Sequence, residues 1–143
     1  MQTNKYQHLV NPIRECISAS GGAITEFELL EELSARGVPE FAQRDYRNPM
    51  ALFKVHFILF HCLYLLKHQL IERGRLDLEI SCMRIQIIQR KGSKRAALGQ
   101  IDNLQLYYLD LDNLNQAKEK DVEAMLGGFW RQLQAQDHRK EAL

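Results

Sequence analysis

The sequence predicts an α+β fold that is mainly helical and winged-helix-like, with three helices, an antiparallel β-hairpin and a C-terminal helix. Helix-start signals precede three apolar stretches in the first half of the chain. After Gly74 the apolar residues change to a period of two, which is typical of strands. A helical stripe returns after residue 121. These changes of period define the element order.

The first helix is predicted to begin at Asn11, whose side chain can cap a helix with Pro12 at its first position. Its apolar residues share one face as far as the pair Gly21 and Gly22, which ends it.

The second helix carries the clearest start signal in the chain. Thr25 and Glu28 have the spacing of a capping box, and Ile24 and Leu29 have the spacing of a hydrophobic staple. Gly37 is predicted to end this helix, and Pro39 blocks its extension.

The third helix is predicted to run from about Pro49, after Asn48, to Arg73. Its middle, residues 55–66, is apolar on nearly every side, which is typical of a helix enclosed by other elements. A membrane span is not expected, because the uninterrupted apolar length is below about 18 residues and includes His56 and His61.

Two strands are predicted next. Alternating apolar residues run through 76–82 and then 83–87, and the inward face switches at Cys82 and Met83, which predicts a bulge or a strand break. The second partner of the hairpin is predicted at 104–111, so the basic loop from Gln89 to about Asn103 would form a long hairpin tip.

The last helix is predicted to start near Asn115 and to carry one apolar stripe through Leu133, which includes Phe129 and Trp130. Composition agrees with one soluble domain over residues 1–143, with a core over about 11–135. The net charge is +1, three cysteines lack CxxC spacing, and no apolar leader is present. We therefore expect a cytoplasmic protein in a reducing compartment.

The order of several segments resembles the N-terminal domain of the bacterial DnaJ-related proteins. The segments are LEIS at 78–81, MRIQII at 83–88, LYYLDLDNL at 106–114 and a helix with Leu126, Phe129, Trp130 and Leu133; upstream they are 11–13, 24–30 and 51–64. The resemblance implies a domain that accompanies a J domain, which acts through a His-Pro-Asp triplet on a DnaK-type chaperone. None of Pro12, Pro39 and Pro49 follows a histidine. We expect a J domain to follow residue 143.

No pattern of a catalytic, metal or cofactor site is present, so we expect no enzymatic activity. Asp110 and Asp112, with Asp102 nearby, lie beside turn residues at a predicted strand end, where aspartates are expected to bond to the backbone. His61 and His68 share a helix face but lie about 10.5 Å apart along the axis, too far for one zinc ion. The histidines are expected in the core or at its boundary, with His68 paired to Glu72.

A non-catalytic protein-interaction domain is therefore the leading prediction, with oligomerisation, client binding and placement of the J domain as open alternatives. Its candidate partner surface consists of Phe129, Trp130, Arg131 and Tyr108, if these side chains are exposed.

The alternative is a winged-helix DNA-binding module whose hairpin tip contacts phosphates through Arg90, Lys91, Lys94 and Arg95. The apolar third helix argues against base reading, so neither nucleic acid nor a membrane is expected as a partner.

Overall fold

The computed structural model describes residues 4–42 and 47–117. A short 3₁₀ turn over Gln7–Leu9 precedes seven helices and one two-stranded antiparallel sheet in this part of the chain. In chain order the elements are α1 (Val10–Ala19), α2 (Glu26–Ala35), α3 (Pro39–Ala42), α4 (Pro49–Arg73), β1 (Leu76–Ile80), β2 (Ile85–Gln89), α5 (Lys94–Gly99), α6 (Asn103–Leu109) and α7 (Asp112–Gln116). The predicted mainly helical α+β class with an antiparallel hairpin is confirmed.

The first helix begins earlier than predicted. The 3₁₀ turn leads directly into α1, so its first residue is Val10 and no side chain caps it. The expectation that Asn11 is the cap is wrong, because the preceding turn already continues into helical backbone. Pro12 still lies in the first turn, where its missing N–H costs nothing.

The second helix has the predicted start. Glu28 N donates to Thr25 Oγ1 at 3.1 Å, and Thr25 N donates to Glu28 Oε1 at 3.0 Å, which completes the capping box. The helix ends before Gly37, whose φ of +77° is easily reached only by glycine.

Helix α4 is the centre of the molecule, with the predicted bounds. The side chain of Asn48 accepts from Met50 N and Ala51 N, and Pro49 is the first helical residue. Its buried residues include Phe57, Leu59 and Leu63, each fully enclosed. By length and composition alone the helix could cross a membrane, but 67% of its most apolar window is buried inside the protein, as in the core helix of a soluble protein.

The hairpin is formed by β1 and β2, paired from Leu76 with Gln89 to Ile80 with Ile85. The predicted switch of the inward face at Cys82 and Met83 is the turn between these strands, so the expected strand break is confirmed. The backbone of Ile24 bonds to Ile85 in both directions, at 2.8 and 2.9 Å, which attaches the start of α2 to the hairpin.

The predicted strand over residues 104–111 is wrong, because this segment contains α6. Its apolar residues occupy both odd and even positions, so the alternation does not decide between strand and helix. The side chain of Asp102 accepts from Gln105 N at 2.8 Å and caps a helix. Tyr107 and Tyr108 then pack on Phe57 of α4, at ring-centroid distances of 5.6 and 5.4 Å.

The basic segment after β2 is therefore not a hairpin tip. It turns at Gly92, with φ of +78°, and enters α5, whose cap is Ser93. The predicted wing carrying Arg90, Lys91, Lys94 and Arg95 is corrected to a loop and short helix at the C-terminal end of α4. The predicted start of the last helix near Asn115 is wrong, because α7 (Asp112–Gln116) ends there and Ala117 is extended. The rest of that predicted helix, through Leu133, lies outside the described residues.

Candidate functional site

A buried polar network connects α2, α4 and α6. Glu26, the first residue of α2, is 0% exposed, His56 on α4 is 3% exposed and Tyr108 on α6 is 6% exposed. The capping box holds the start of α2 against the hairpin, where Glu26 N donates to Cys82 O at 2.8 Å. This backbone position directs the Glu26 carboxylate into the core.

His56 lies between the two other side chains. Its Nδ1 is 2.9 and 3.1 Å from the carboxylate oxygens of Glu26, and its Nε2 is 2.6 Å from the Tyr108 hydroxyl. Burial raises the pKa of Tyr108, so this hydroxyl keeps its proton at neutral pH and, where His56 is neutral, donates it to Nε2. Nδ1–H then donates to the carboxylate. Burial also raises the pKa of Glu26, and the adjacent His56 opposes that rise.

The order Tyr108, His56 and Glu26 resembles the hydroxyl, imidazole and carboxylate of a hydrolytic triad. The geometry, however, encloses the hydroxyl. The Tyr108 ring packs against the Phe60 ring at a centroid distance of 5.2 Å and stacks on the Tyr64 ring at 6.1 Å. A substrate would have to displace these core rings to reach the tyrosine oxygen. The arrangement therefore satisfies polar groups inside the core.

His61 forms a second buried contact between α4 and α6. Its Nδ1 donates to Tyr108 O at 2.8 Å, and its Nε2 accepts from Asn4 Nδ2 at 3.0 Å. Burial lowers the pKa of His61, which favours this neutral form. The predicted core placement of His56 and His61 is confirmed, as is the surface pair of His68 with Glu72, at 3.5 Å.

The predicted backbone role of the aspartates beside the turn is confirmed for Asp110. Asp102 caps α6, and Asp110 Oδ1 accepts from Asp112 N at 3.0 Å. Residues 4–42 and 47–117 contain no group of three histidine, cysteine or acidic side chains that could hold a metal ion.

The candidate partner surface predicted from sequence is not brought together in the described residues. Tyr108 is buried in the core, so it is not an exposed anchor. Phe129, Trp130 and Arg131 lie outside the described residues. The burial of Glu26 was not predicted, because a carboxylate in the first turn of a helix is ordinarily a solvated partner of the helix dipole. No sequence signal distinguishes the buried case.

A cluster of exposed aliphatic side chains lies where α5 is followed by α6. Ile101, Leu104 and Leu106 are 55%, 60% and 58% exposed. Among the described residues, the remaining large apolar side chain with comparable exposure is Met83, in the hairpin turn. Exposed apolar residues normally occur singly, so three large ones within six residues are unusual. We call residues 101–106 the apolar segment.

Basic side chains collect at the opposite end of α5, where three pieces of chain meet. Arg73 ends α4, Arg75 precedes β1, and Lys91, Lys94 and Arg95 follow β2; all five are exposed. The backbone of Arg90 donates to Arg75 O at 2.7 Å, which brings the first and last pieces together. We call these five residues the basic surface.

Arg90 has a different role from the one predicted. Its guanidinium donates to the carbonyls of Ile71, at 3.2 Å, Gly74 and Gly92. The first two belong to the C-terminal end of α4, where a cation is also favoured by the helix dipole. Arg90 therefore fixes the loop to α4 and is half-buried, unlike its basic neighbours.

The comparisons with known proteins identify a family and nothing finer. Neither the curated proteins nor the solved structures contain a match to this chain. The family model described as "DNA-J related protein" matches residues 7–133, which is most of the sequence. The chain belongs to the DnaJ-related family.

Proposed function

We propose that the chain is a non-catalytic protein-interaction domain of a DnaJ-related protein, and that it binds short apolar segments of client proteins. The observation that supports this most directly is the exposed apolar segment at residues 101–106. Water contact with three large aliphatic side chains is unfavourable, and a partner that covers them gains the corresponding burial energy.

The size of the segment favours a short client peptide over a second copy of the chain. A stable protein–protein interface buries about 800 Å² on each partner and involves about 20–30 residues on each side. Three aliphatic side chains, two on the seven-residue helix α6 and one just before it, supply a small part of that area. A short apolar stretch of an unfolded protein can be covered by them without a large matched surface.

The polar groups of the described core support a role in contact rather than catalysis. The hydroxyl, imidazole and carboxylate of Tyr108, His56 and Glu26 satisfy each other inside the core. The sequence also contains no His-Pro-Asp triplet with which to stimulate a DnaK-type chaperone directly. The domain would therefore hold a client while a J domain acts on the chaperone.

The test uses the 143-residue chain and a fluorescently labelled, reduced and alkylated protein that cannot fold. We expect a rise in anisotropy on addition of the chain, because the client is bound. We expect no increase in ATP hydrolysis when the chain alone is added to a DnaK-type chaperone. The absence of client binding, together with concentration-dependent dimerisation in sedimentation velocity, would replace client binding with self-association. Stimulated hydrolysis would contradict the proposed division of roles.

A further inference from the structure

The basic surface carries a much larger positive charge than the net charge of the chain suggests. Its five residues, Arg73, Arg75, Lys91, Lys94 and Arg95, carry a formal charge of +5, whereas the whole chain carries +1. The rest of the sequence is therefore acidic, at −4. A strong local excess of positive charge attracts a polyanion even when the molecule as a whole is nearly neutral.

The five charges of this surface form no ion pairs within the described structure. None of the five residues has a carboxylate within ion-pair distance in the part of the chain that the structure describes. Carboxylates beside them in sequence already have other partners: Glu72 lies 3.5 Å from His68, and Asp77 accepts from Lys67 at 2.6 Å. The basic side chains are therefore free to contact an external anion.

The surface is also held in position by the fold. The hydrogen bonds from Arg90 to Ile71 O and Gly92 O join the end of α4 to the loop that carries Lys91. Ser93 then caps α5, where Oγ accepts from Ala96 N at 3.1 Å, so Lys94 and Arg95 start from a defined helix. A preorganised set of cations loses less conformational entropy on binding than the same charges on a flexible tail.

We infer that this basic surface binds the phosphate backbone of double-stranded nucleic acid without reading its sequence. Arginine matches phosphate through parallel N–H donors, and three of the five residues are arginine. Within residues 4–42 and 47–117 no phenylalanine, tyrosine or tryptophan side chain is exposed, so this part of the chain lacks the aromatic platform on which single-stranded bases ordinarily stack. The long helix α4 is enclosed by the core and cannot enter a major groove. Contact with the phosphate backbone of a duplex is the mode of binding that these observations favour.

The inference goes beyond the proposed client binding and uses different residues. Its test measures the affinity of the 143-residue chain for a fluorescent duplex of arbitrary sequence at several salt concentrations. Each phosphate contact lowers the slope of log K against log salt by about 0.9, so five contacts predict a slope of about −4.5. Between 50 and 200 mM salt this slope corresponds to a loss of affinity of about 500-fold.

A matched pair of variants locates the contact. Lys94→Gln with Arg95→Gln removes two cations of the basic surface, and should make the slope shallower by about 1.8. Arg14→Gln with Lys54→Gln removes two exposed cations elsewhere, and should leave the slope at its original value. Circular dichroism checks that both variants are folded.

Three results would overturn the inference. One is an absence of duplex binding at 25 mM salt. Another is an equal loss of affinity in the two double variants, which would report only the overall charge. The third is competition by polyglutamate as strong as that by unlabelled duplex, which would show that the surface binds carboxylate polymers instead of phosphates.

Discussion

The polar groups of the core and those of the basic surface differ in burial and in pairing. In the core, Glu26, His56 and Tyr108 are fully enclosed and bonded to one another. At the end of α4, five cations are exposed and lack ion-pair partners among the described residues. Unpaired buried charge would destabilise the fold, whereas unpaired surface charge costs little. The core network therefore indicates a structural role, and the basic surface is the region for which we propose a role in binding.

The largest expected effect comes from the helix that both regions share. Phe57→Ala should lower the free energy of unfolding by about 3–5 kcal/mol, because it opens a cavity in a fully enclosed position beside Tyr107 and Tyr108. Urea unfolding measures it, with the exposed Lys54→Ala on the same helix as the control. A loss below about 1 kcal/mol would show that α4 is not the centre of the core.

Breaking the buried pair of Glu26 and His56 should lower the free energy of unfolding by a similar amount. Unlike the loss in Phe57→Ala, this loss should depend on pH. His56→Leu leaves the Glu26 carboxylate buried without its histidine, which costs about 3–5 kcal/mol. The pKa of Glu26 is already raised by burial, and loss of His56 raises it further. The folded state then holds this proton more tightly than the unfolded state does. Stability should therefore fall as the pH rises above the ordinary value of 4.5.

Removal of both partners sharpens this prediction. Glu26→Leu with His56→Leu replaces the pair by apolar side chains, so the double variant should be more stable than His56→Leu alone and should lose the added pH dependence. Denaturant unfolding between pH 4 and pH 7 makes the measurement. Equal stability of the single and double variants would show that the carboxylate is not buried as a charge.

The second buried histidine should respond to pH in the opposite direction. Burial lowers the pKa of His61, so the folded state binds this proton less tightly than the unfolded state, whose value is near 6.5. Stability should fall as the pH drops through and below that value. His61→Gln should lose less stability than the wild type between pH 7 and pH 5, whereas the exposed His68→Gln should behave like the wild type. Identical pH profiles for all three proteins would contradict this assignment.

The sequence predicted the core better than the surfaces, for identifiable reasons. The Thr25 capping box and the Asn48 to Arg73 helix depend on local spacing, and the structure has both as predicted. The helix at residues 103–109 was missed because its apolar residues occupy both odd and even positions, a pattern that fits a strand as well as a helix. The packing of Tyr107 and Tyr108 on α4 favours the helix. The approach of Arg75 to Arg90 depends on the strand register, which the predicted hairpin had placed elsewhere.

The burial of Glu26 could not be predicted for a related reason. Its partner His56 is 30 residues away, and nothing local distinguishes it from the exposed Glu28 two positions later. Long-range polar contacts of this kind follow from how helices pack, which a single sequence does not specify.

The most direct test of the account measures unfolding and client binding in the same two variants. Leu104→Gln with Leu106→Gln changes two exposed side chains, and should abolish client binding while the free energy of unfolding changes by about 0.5 kcal/mol or less. Tyr108→Phe removes the hydroxyl from His56, and should cost about 1–3 kcal/mol of stability while client binding persists. Unchanged client affinity in the leucine variant, or lost affinity in a folded Tyr108→Phe variant, would contradict the assignment of binding to the apolar segment.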